Sequence, residues 1–136
     1  MNTSIVINFN GDAHEALRMY TEIFGLDNPH IMTYGSLPQN PGFAISKEEE
    51  DYVFQASINI GGLDIMIQDL LKTMQIPYNN NITLSIGTQE ENNVRKWFEA
   101  LKNEGHITCP MQEMPWSKLY CAVKDKFGTS WQFQLI

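Results

Sequence analysis

The sequence predicts an α+β fold in which two βαβββ repeats form a cupped, eight-stranded mixed sheet. Patterns typical of strand, helix and hairpin occur in the same order in both halves of the 136 residues. Positions in the first strand and helix have counterparts 77 residues later, as for Ile5 with Ile82 and Tyr20 with Trp97. Because neither half could cover both faces of its own sheet, we expect the two sheets to pair within a single domain, 1–136.

The first repeat, about residues 1–73, begins with a strand and an amphipathic helix. Ile5, Ile7 and Phe9 alternate with other residues, which predicts a strand. Asp12 and Glu15 have the spacing of a capping box and predict the start of a helix. Apolar residues then follow at helical spacing, and Gly25 is expected to end the helix.

The remainder of the first repeat contains a long loop between predicted strands. Residues 30–34 suggest a short strand, and residues 54–60 and 63–68 predict a hairpin that turns at Gly61 and Gly62. Residues 35–51 are rich in proline, glycine and acidic residues. The acidic run 48–51 has two interpretations, a solvated loop or a lid that attracts cationic ligands.

The second repeat, about residues 80–136, follows the same order. Ile82, Leu84 and Ile86 alternate, and Thr88 with Glu91 repeats the capping-box spacing. The apolar stripe of the next helix includes Trp97, which we expect in the core, and Gly105 is expected to end the helix. Residues 106–109 predict a strand, and residues 119–124 and 130–135 predict a hairpin that turns at residues 125–128.

Composition excludes several classes of protein. Nine basic and sixteen acidic residues give a formal net charge of −7, which argues against nucleic acid as a partner. No apolar run approaches the length of a membrane span and no signal peptide is evident, so we expect a soluble, cytoplasmic protein without membrane contact. Cys109 and Cys121 are too far apart for a redox CxxC motif, and we expect reduced, buried thiols.

Four motifs together resemble one known superfamily. They are FNGDAHEALRMYTEIFG at residues 9–25, YG at residues 34–35, IGGLDIMIQD at residues 60–69 and DKFGTSW at residues 125–131. In this order and spacing they resemble the PhnB-like branch of the glyoxalase/bleomycin-resistance/extradiol dioxygenase (vicinal oxygen chelate) superfamily. The resemblance covers nearly the whole chain. It implies the duplicated βαβββ fold and a homodimer.

The same resemblance bears on metal binding. Metal-dependent members hold an ion with four inward-facing residues, and alignment places those positions on Ile5, Met66, Asn81 and Gln132. A hydrocarbon, a thioether and two neutral amides are poor substitutes for the hydration of a divalent ion. We therefore expect no metal and no other cofactor. His14, His30 and His106 fall at the start of a helix and of two strands, where we expect structural or solvated roles.

Strand alternation then assigns side chains to the cup. One strand is expected to contribute Ile5, Ile7 and Phe9, and another Asp64, Met66 and Gln68. The second repeat is expected to contribute Asn81, Thr83, Ser85, Ser130, Gln132 and Gln134, whereas Ile82, Leu84, Ile86, Trp131, Phe133 and Leu135 are expected to pack on the helices. Hydroxyls and amides in such a row could orient a ligand, or the interior could hold water or be satisfied by mutual hydrogen bonds, with no ligand.

Aromatic residues complete the set of candidate ligand contacts. Trp116 follows a proline between two strands, where it could line a pocket mouth, form a dimer contact or simply pack in its loop. Tyr34, Tyr120 and Phe127 could join it. The full set of ligand-binding candidates is Phe9, Tyr34, Asp64, Met66, Gln68, Thr83, Ser85, Trp116, Gln132 and Gln134.

Three functions remain open at the level of sequence. The first is a metal-independent protein that binds a small molecule, of unknown identity, in the cup. The second is a lyase, isomerase or oxygenase with an atypical metal or a carboxylate base, for which Asp64, Asp69 and Asp125 are candidates, although Asp125 also suits a turn. The third is an interaction dimer with an occluded cup. PhnB-like proteins are sometimes labelled methyltransferase-like, yet the sequence has no glycine-rich nucleotide loop.

Overall fold

Each repeat folds as a four-stranded mixed sheet with one α-helix, as the sequence predicts. The computed structural model describes residues 4–38, 44–75 and 82–136, and the chain divides into two units, Met1–Ile76 and Pro77–Ile136. The first unit contains β1 (Ile5–Phe9), α1 (Ala13–Phe24), β2 (Met32–Thr33), β3 (Val53–Ile60) and β4 (Leu63–Asp69). The second contains β5 (Thr83–Thr88), α2 (Glu91–Lys102), β6 (His106–Met114), β7 (Ser117–Lys124) and β8 (Ser130–Leu135).

The two sheets share one strand order, which confirms the predicted repeat. The orders are β1-β4-β3-β2 and β5-β8-β7-β6. In each sheet the first strand of the unit runs parallel to the last strand, and the other neighbours are antiparallel. In each unit the helix follows the first strand and packs on one side of the sheet, which we call the helix face. The opposite side of the sheet is called the open face.

In the first unit, the register corrects the predicted faces. Ile5 pairs with Ile65 and Ile7 with Ile67, and paired residues lie on the same side of a sheet. This is the helix face, because Phe9 is fully buried with its ring centroid 6.4 Å from that of Tyr20 in α1. The prediction that Ile5, Ile7 and Phe9 face the cup is therefore wrong.

The open face of this sheet instead carries the alternate residues. Val6 pairs with Met66, and Asn8 pairs with Gln68. The sequence could not distinguish the two sides because β1 is apolar at nearly every position, so its alternation is weak.

In the second unit, the predicted faces are confirmed. Leu84 pairs with Trp131 and Ile86 with Phe133 on the helix face, where Trp97 of α2 lies 5.5 Å from Phe133 between ring centroids. Ser85 pairs with Gln132 on the open face. Ile82 is the exception, since it precedes β5 and is 69% exposed instead of packing on a helix. Trp97 itself is half-buried.

The helix ends differ in part from the predicted caps. Gly25 ends α1 in the left-handed conformation with φ of 63°, as expected. Asp12 precedes α1 but its side chain makes no capping hydrogen bond, and Thr88 lies within β5, so both capping boxes are wrong. Gly105 does not end α2, because the C-cap is Asn103. A Cβ at Gly105 would lie only 2.5 Å from the Leu101 carbonyl oxygen, so close backbone contact explains this glycine.

Residues 44–51 of the long loop are anchored to their unit. Residues 48–51 form a 3₁₀ turn in which Glu49 is buried, whereas its acidic neighbours are exposed. The Glu49 carboxylate accepts hydrogen bonds from the backbone N–H groups of Ser46 and Lys72, which hold its pKa below the ordinary value. The interpretation as a wholly solvated acidic loop is therefore wrong for Glu49. Residues 39–43 of the predicted loop lie outside the described residues.

Candidate functional site

The open face of the second sheet carries a hydrogen-bonded row of polar side chains. The Tyr120 hydroxyl donates to Gln132 Oε1 at 2.9 Å, and Gln132 Nε2 donates to Ser85 Oγ at 2.8 Å. Burial raises the pKa of the Tyr120 hydroxyl, so this group stays protonated as a donor at neutral pH. The row fixes the orientation of all three side chains.

Two further groups of candidates flank this row. Thr83 and Gln134 share its face because they pair with Ser130 and Gly87 in the same alternation. Trp116 lies in the turn between β6 and β7, is 63% exposed, and meets the Tyr120 ring edge-to-face at 5.5 Å between centroids. Trp116 is thus a neighbour of the hydrogen-bonded row, an arrangement consistent with the expected pocket mouth.

The open face of the first sheet carries a second, smaller set of candidates. Gln68 Nε2 donates to Asn8 Oδ1 at 2.6 Å, and Met66 lies beside them on β4. Asp64 is at the exposed end of the hairpin, where its carboxylate accepts from Asn59 Nδ2 at 2.7 Å. Sequence reasoning missed Asn8 because it placed the other side of β1 in the cup.

Three of the aromatic candidates lie away from both open faces. Phe9 is buried on the helix face. Tyr34 packs in a buried cluster with Tyr52 and Leu71, and its hydroxyl donates to the Asp69 carbonyl oxygen at 2.8 Å. Phe127 is 3% exposed in the turn before β8. We therefore do not include these residues in the candidate site.

Two candidate catalytic bases have structural roles instead. The Asp69 carboxylate accepts hydrogen bonds from the backbone N–H groups of Gly11, Ala13 and Val53 at 2.9–3.0 Å. The Asp125 carboxylate accepts from the N–H groups of Phe127 and Thr129 and from Trp131 Nε1. Both side chains are buried and their lone pairs are directed at these donors, which leaves neither placed to accept a substrate proton.

The cysteines offer no evident nucleophile. Cys121 is buried on the helix face, and burial raises the pKa of its thiol to about 11. Cys109 is half-buried, and its sulfur lies 3.4 Å from Gln112 Nε2. A thiol becomes a nucleophile when its pKa is lowered by a cation or a base, and the environment of Cys121 acts in the opposite direction.

The side chains at the predicted metal positions do not fit a divalent ion. Ile5 lies on the helix face, and the open-face residues of the same strand are Val6 and Asn8. Met66 and Gln132 do lie on open faces, but they provide a thioether and a neutral amide, and that amide is already bonded to Tyr120 and Ser85. Asn81 lies outside the described residues. Among the residues that are described, no three His, Cys, Asp or Glu side chains form a group that could hold a metal.

The turn from β1 to α1 does not resemble a nucleotide-binding loop. In such loops the free N–H groups at a helix start bind the anionic part of the cofactor. Here the N–H groups of Gly11 and Ala13 are both bonded to Asp69 Oδ1 from β4. The protein's own carboxylate therefore occupies the position that an anionic cofactor group would need.

Comparisons with solved structures identify the fold. The PhnB protein of Bacillus cereus has a TM-score of 0.78 at 23% identity, with 100% of both chains covered. A glyoxylase/bleomycin resistance protein/dioxygenase domain from Frankia sp. EAN1pec has a TM-score of 0.63 at 19% identity, covering 99% of this chain and 91% of that one. The fold is thus that of the glyoxalase/bleomycin-resistance/dioxygenase superfamily, as the resemblance implied.

Within that superfamily, the chain belongs to the 3-demethylubiquinone-9 3-methyltransferase family, whose sequence profile matches residues 1–134. The curated protein YjdN of Escherichia coli (strain K12) is 25% identical over 142 residues, covering 100% of this chain and 96% of YjdN. The PhnB-like resemblance is confirmed. Of the helices in the described residues, none is long and apolar enough to cross a membrane.

Proposed function

We propose that this chain is a metal-independent protein that binds a small organic molecule, held in the predicted cup against the polar open face of the second sheet. The observation that carries this proposal is the row Tyr120–Gln132–Ser85. Its donors and acceptors are oriented before any ligand arrives, which lowers the entropic cost of binding. We also expect the chain to form a homodimer, which light scattering of the purified protein would test.

The poor fit of the predicted metal positions to a metal supports a binding function without a metal. Gln132 is committed to two side-chain partners, and Met66 offers only a soft sulfur. The family name denotes a methyl transfer, and that activity would require a methyl donor. The N–H groups of Gly11 and Ala13, bonded to Asp69, argue against a nucleotide-type donor at the β1–α1 turn.

An enzyme with an atypical metal or a carboxylate base is the other candidate function. Asp69 and Asp125 are fully engaged with N–H groups, which leaves the exposed Asp64 as the remaining candidate base of the three. Asp64 is hydrogen-bonded to Asn59 at the hairpin end. No observation favours this function over binding.

A thermal-shift screen tests the proposed function. The purified chain is screened against a library of small organic molecules, together with Gln132→Ala and with Gln89→Ala, an exposed glutamine outside the site, as the matched control. We expect some compounds to raise the Tm of the wild-type chain and of Gln89→Ala, and to lose most of that effect in Gln132→Ala. If no compound raises the Tm, the proposal is wrong.

Elemental analysis separates binding from metal-assisted catalysis. The protein is purified without a chelator, incubated with Zn, Ni, Mn or Fe(II), and then dialysed. We expect near-zero stoichiometry for each metal. One tightly held ion per chain would contradict metal independence and would make metal-assisted catalysis the leading function.

A further inference from the structure

The types of side chain on the open face of the second sheet differ from one end of its strands to the other. Cross-strand pairing places Thr83, Ser130, Lys124 and His106 in one row across the sheet. The next row contains Ser85, Gln132, Ala122 and Cys109, with one irregularity in the pairing of β6 before Cys109. The next row contains Gly87, Gln134, Tyr120 and Gln112. Lys124 and His106 therefore lie at one end of the face, and the aromatic side chains lie at the other, where the exposed Lys118 shares the alternation of Tyr120 in β7.

The aromatic end provides a surface for a flat ring. Trp116 is 63% exposed, and its edge-to-face contact with Tyr120 leaves most of the indole accessible. Tyr120 is in turn held by its hydrogen bond to Gln132. An exposed tryptophan beside a fixed aromatic neighbour favours a ligand that stacks, because ring contacts contribute beyond simple area burial.

The basic end contrasts with the rest of the chain. The net charge is −7, and the described strands of the first sheet contain no lysine, arginine or histidine. Lys124 is half-buried on the open face, where its Cα partners are His106 and Ser130. A lysine with a partly buried stem in an otherwise acidic protein favours an anionic group on a bound ligand.

The middle of the face has a small side chain and a hydrogen-bond donor. Ala122 lies between the rows of Lys124 and Tyr120, and its methyl group projects little above the sheet, whereas the Ile136 side chain covers Gly87. Ser85 Oγ accepts from Gln132 Nε2, so the hydroxyl proton of Ser85 remains able to donate outward. Lys124 lies four positions after Tyr120 in β7, a distance of about 13 Å along the strand.

We propose that this face binds an elongated aromatic anion. Its ring system stacks on Trp116 and Tyr120, an oxygen acceptor meets the Ser85 hydroxyl, and a carboxylate or sulfonate lies at Lys124. This inference rests on the proposed binding function and specifies its ligand class. The proposed site lies entirely within the second sheet.

Two fluorescent dyes that differ only in charge provide the test. Anilinonaphthalene sulfonate carries the ring system and an anionic group, and phenylnaphthylamine carries the same rings without the sulfonate. Both are titrated into the wild-type chain, Trp116→Ala and Lys124→Gln, with Lys96→Gln on the exposed side of α2 as the matched charge control. Circular dichroism and the Tm of each variant verify that it is folded.

The expected pattern separates the two ends of the site. Trp116→Ala should raise the Kd of both dyes about tenfold, since stacking is common to them. Lys124→Gln should raise the Kd of the sulfonate about three- to fivefold, less in high salt, and leave the uncharged dye unchanged. Lys96→Gln should change neither Kd.

Two outcomes would overturn the inference in different ways. If both dyes bind equally well and Lys124→Gln affects neither, the anionic ligand class is wrong, while the proposed binding function stands as long as Trp116→Ala weakens both. If neither dye binds, the ligand class is wrong, and the library screen then decides independently whether the chain binds small molecules at all.

Discussion

The two units of this protein share one strand order but place a buried aspartate in different positions. In the first unit, Asp69 at the end of β4 bonds the start of α1 and the start of β3. In the second unit, Asp125 holds the turn between β7 and β8 and the indole N–H of Trp131. The corresponding strand β8 ends at the apolar Leu135.

The hairpins explain part of this difference. In the first unit the strands extend to the pair Ile60–Leu63, and two glycines form the turn. In the second unit pairing stops at Lys124–Ser130, which leaves five residues in the turn. A longer turn has more backbone donors to satisfy, and Asp125 satisfies two of them. The same topology is therefore stabilised by polar contacts specific to each unit.

The largest effect is expected from Asp69→Ala. This change leaves two buried backbone N–H groups and one partly buried N–H group without an acceptor, and it should lower the free energy of unfolding by about 3–5 kcal/mol, measured by urea denaturation. Asp69→Asn is the control. It keeps one acceptor oxygen, although its amide N–H group faces another donor, so the free energy of unfolding should fall less than in Asp69→Ala. A loss below about 1 kcal/mol for Asp69→Ala would contradict this role.

A smaller loss, about 2–3 kcal/mol, is expected from Asp125→Ala. The turn would keep its backbone bonds from Asp125 N–H to Thr129 and from Gly128 N–H to the Asp125 carbonyl. Asp125→Asn can still accept from the two backbone donors, so it should recover part of the loss. If Asp125→Ala lowers the free energy of unfolding more than Asp69→Ala does, the buried aspartate contributes more to stability in the second unit than in the first.

Asp12→Asn is expected to stabilise the first unit at neutral pH. Burial raises the pKa of the Asp12 carboxyl, and the charges of Asp69 and Glu15 raise it further. A group whose pKa is higher in the folded than in the unfolded chain destabilises the fold as pH rises through that pKa. The Tm of Asp12→Asn should therefore exceed that of wild type by about 1–3 °C at pH 7, and the difference should vanish near pH 3. A gain that is equal at both pH values would show that charge is not the cause.

The smallest effect is expected on the surface of α2. Arg95 and Glu91 form an exposed i, i+4 ion pair at 2.7 Å, with both side chains 53% exposed. Glu91→Ala should lower the free energy of unfolding by less than about 0.5 kcal/mol, and 1 M salt should remove the difference. A decrease in the free energy of unfolding as large as that of Asp125→Ala would mean that this surface ion pair stabilises the second unit as much as the buried carboxylate does.

The faces of the strands could be predicted correctly where the side chains alternate strongly. β5 and β8 place hydroxyls and amides against large apolar residues, so their two faces could be assigned before the structure was known. The prediction failed in β1, where Ile5, Val6 and Ile7 are all apolar and the side that packs on α1 depends on pairing with β4. Trp116 was predicted as a candidate, whereas the Tyr120–Gln132–Ser85 row became evident only from distances.

By itself, the sequence determined the βαβββ repeats, the end of α1 at Gly25 and the superfamily. These depend on local periodicity and on backbone conformation, which neighbouring residues specify. Only the tertiary structure decided that Asp69 is an anchor instead of a base, and that Glu49 is buried while its acidic neighbours are exposed. The donors to Asp69 and the Lys72 donor to Glu49 lie 16 to 58 residues away in the chain, and residue type alone does not specify which donors a carboxylate will meet.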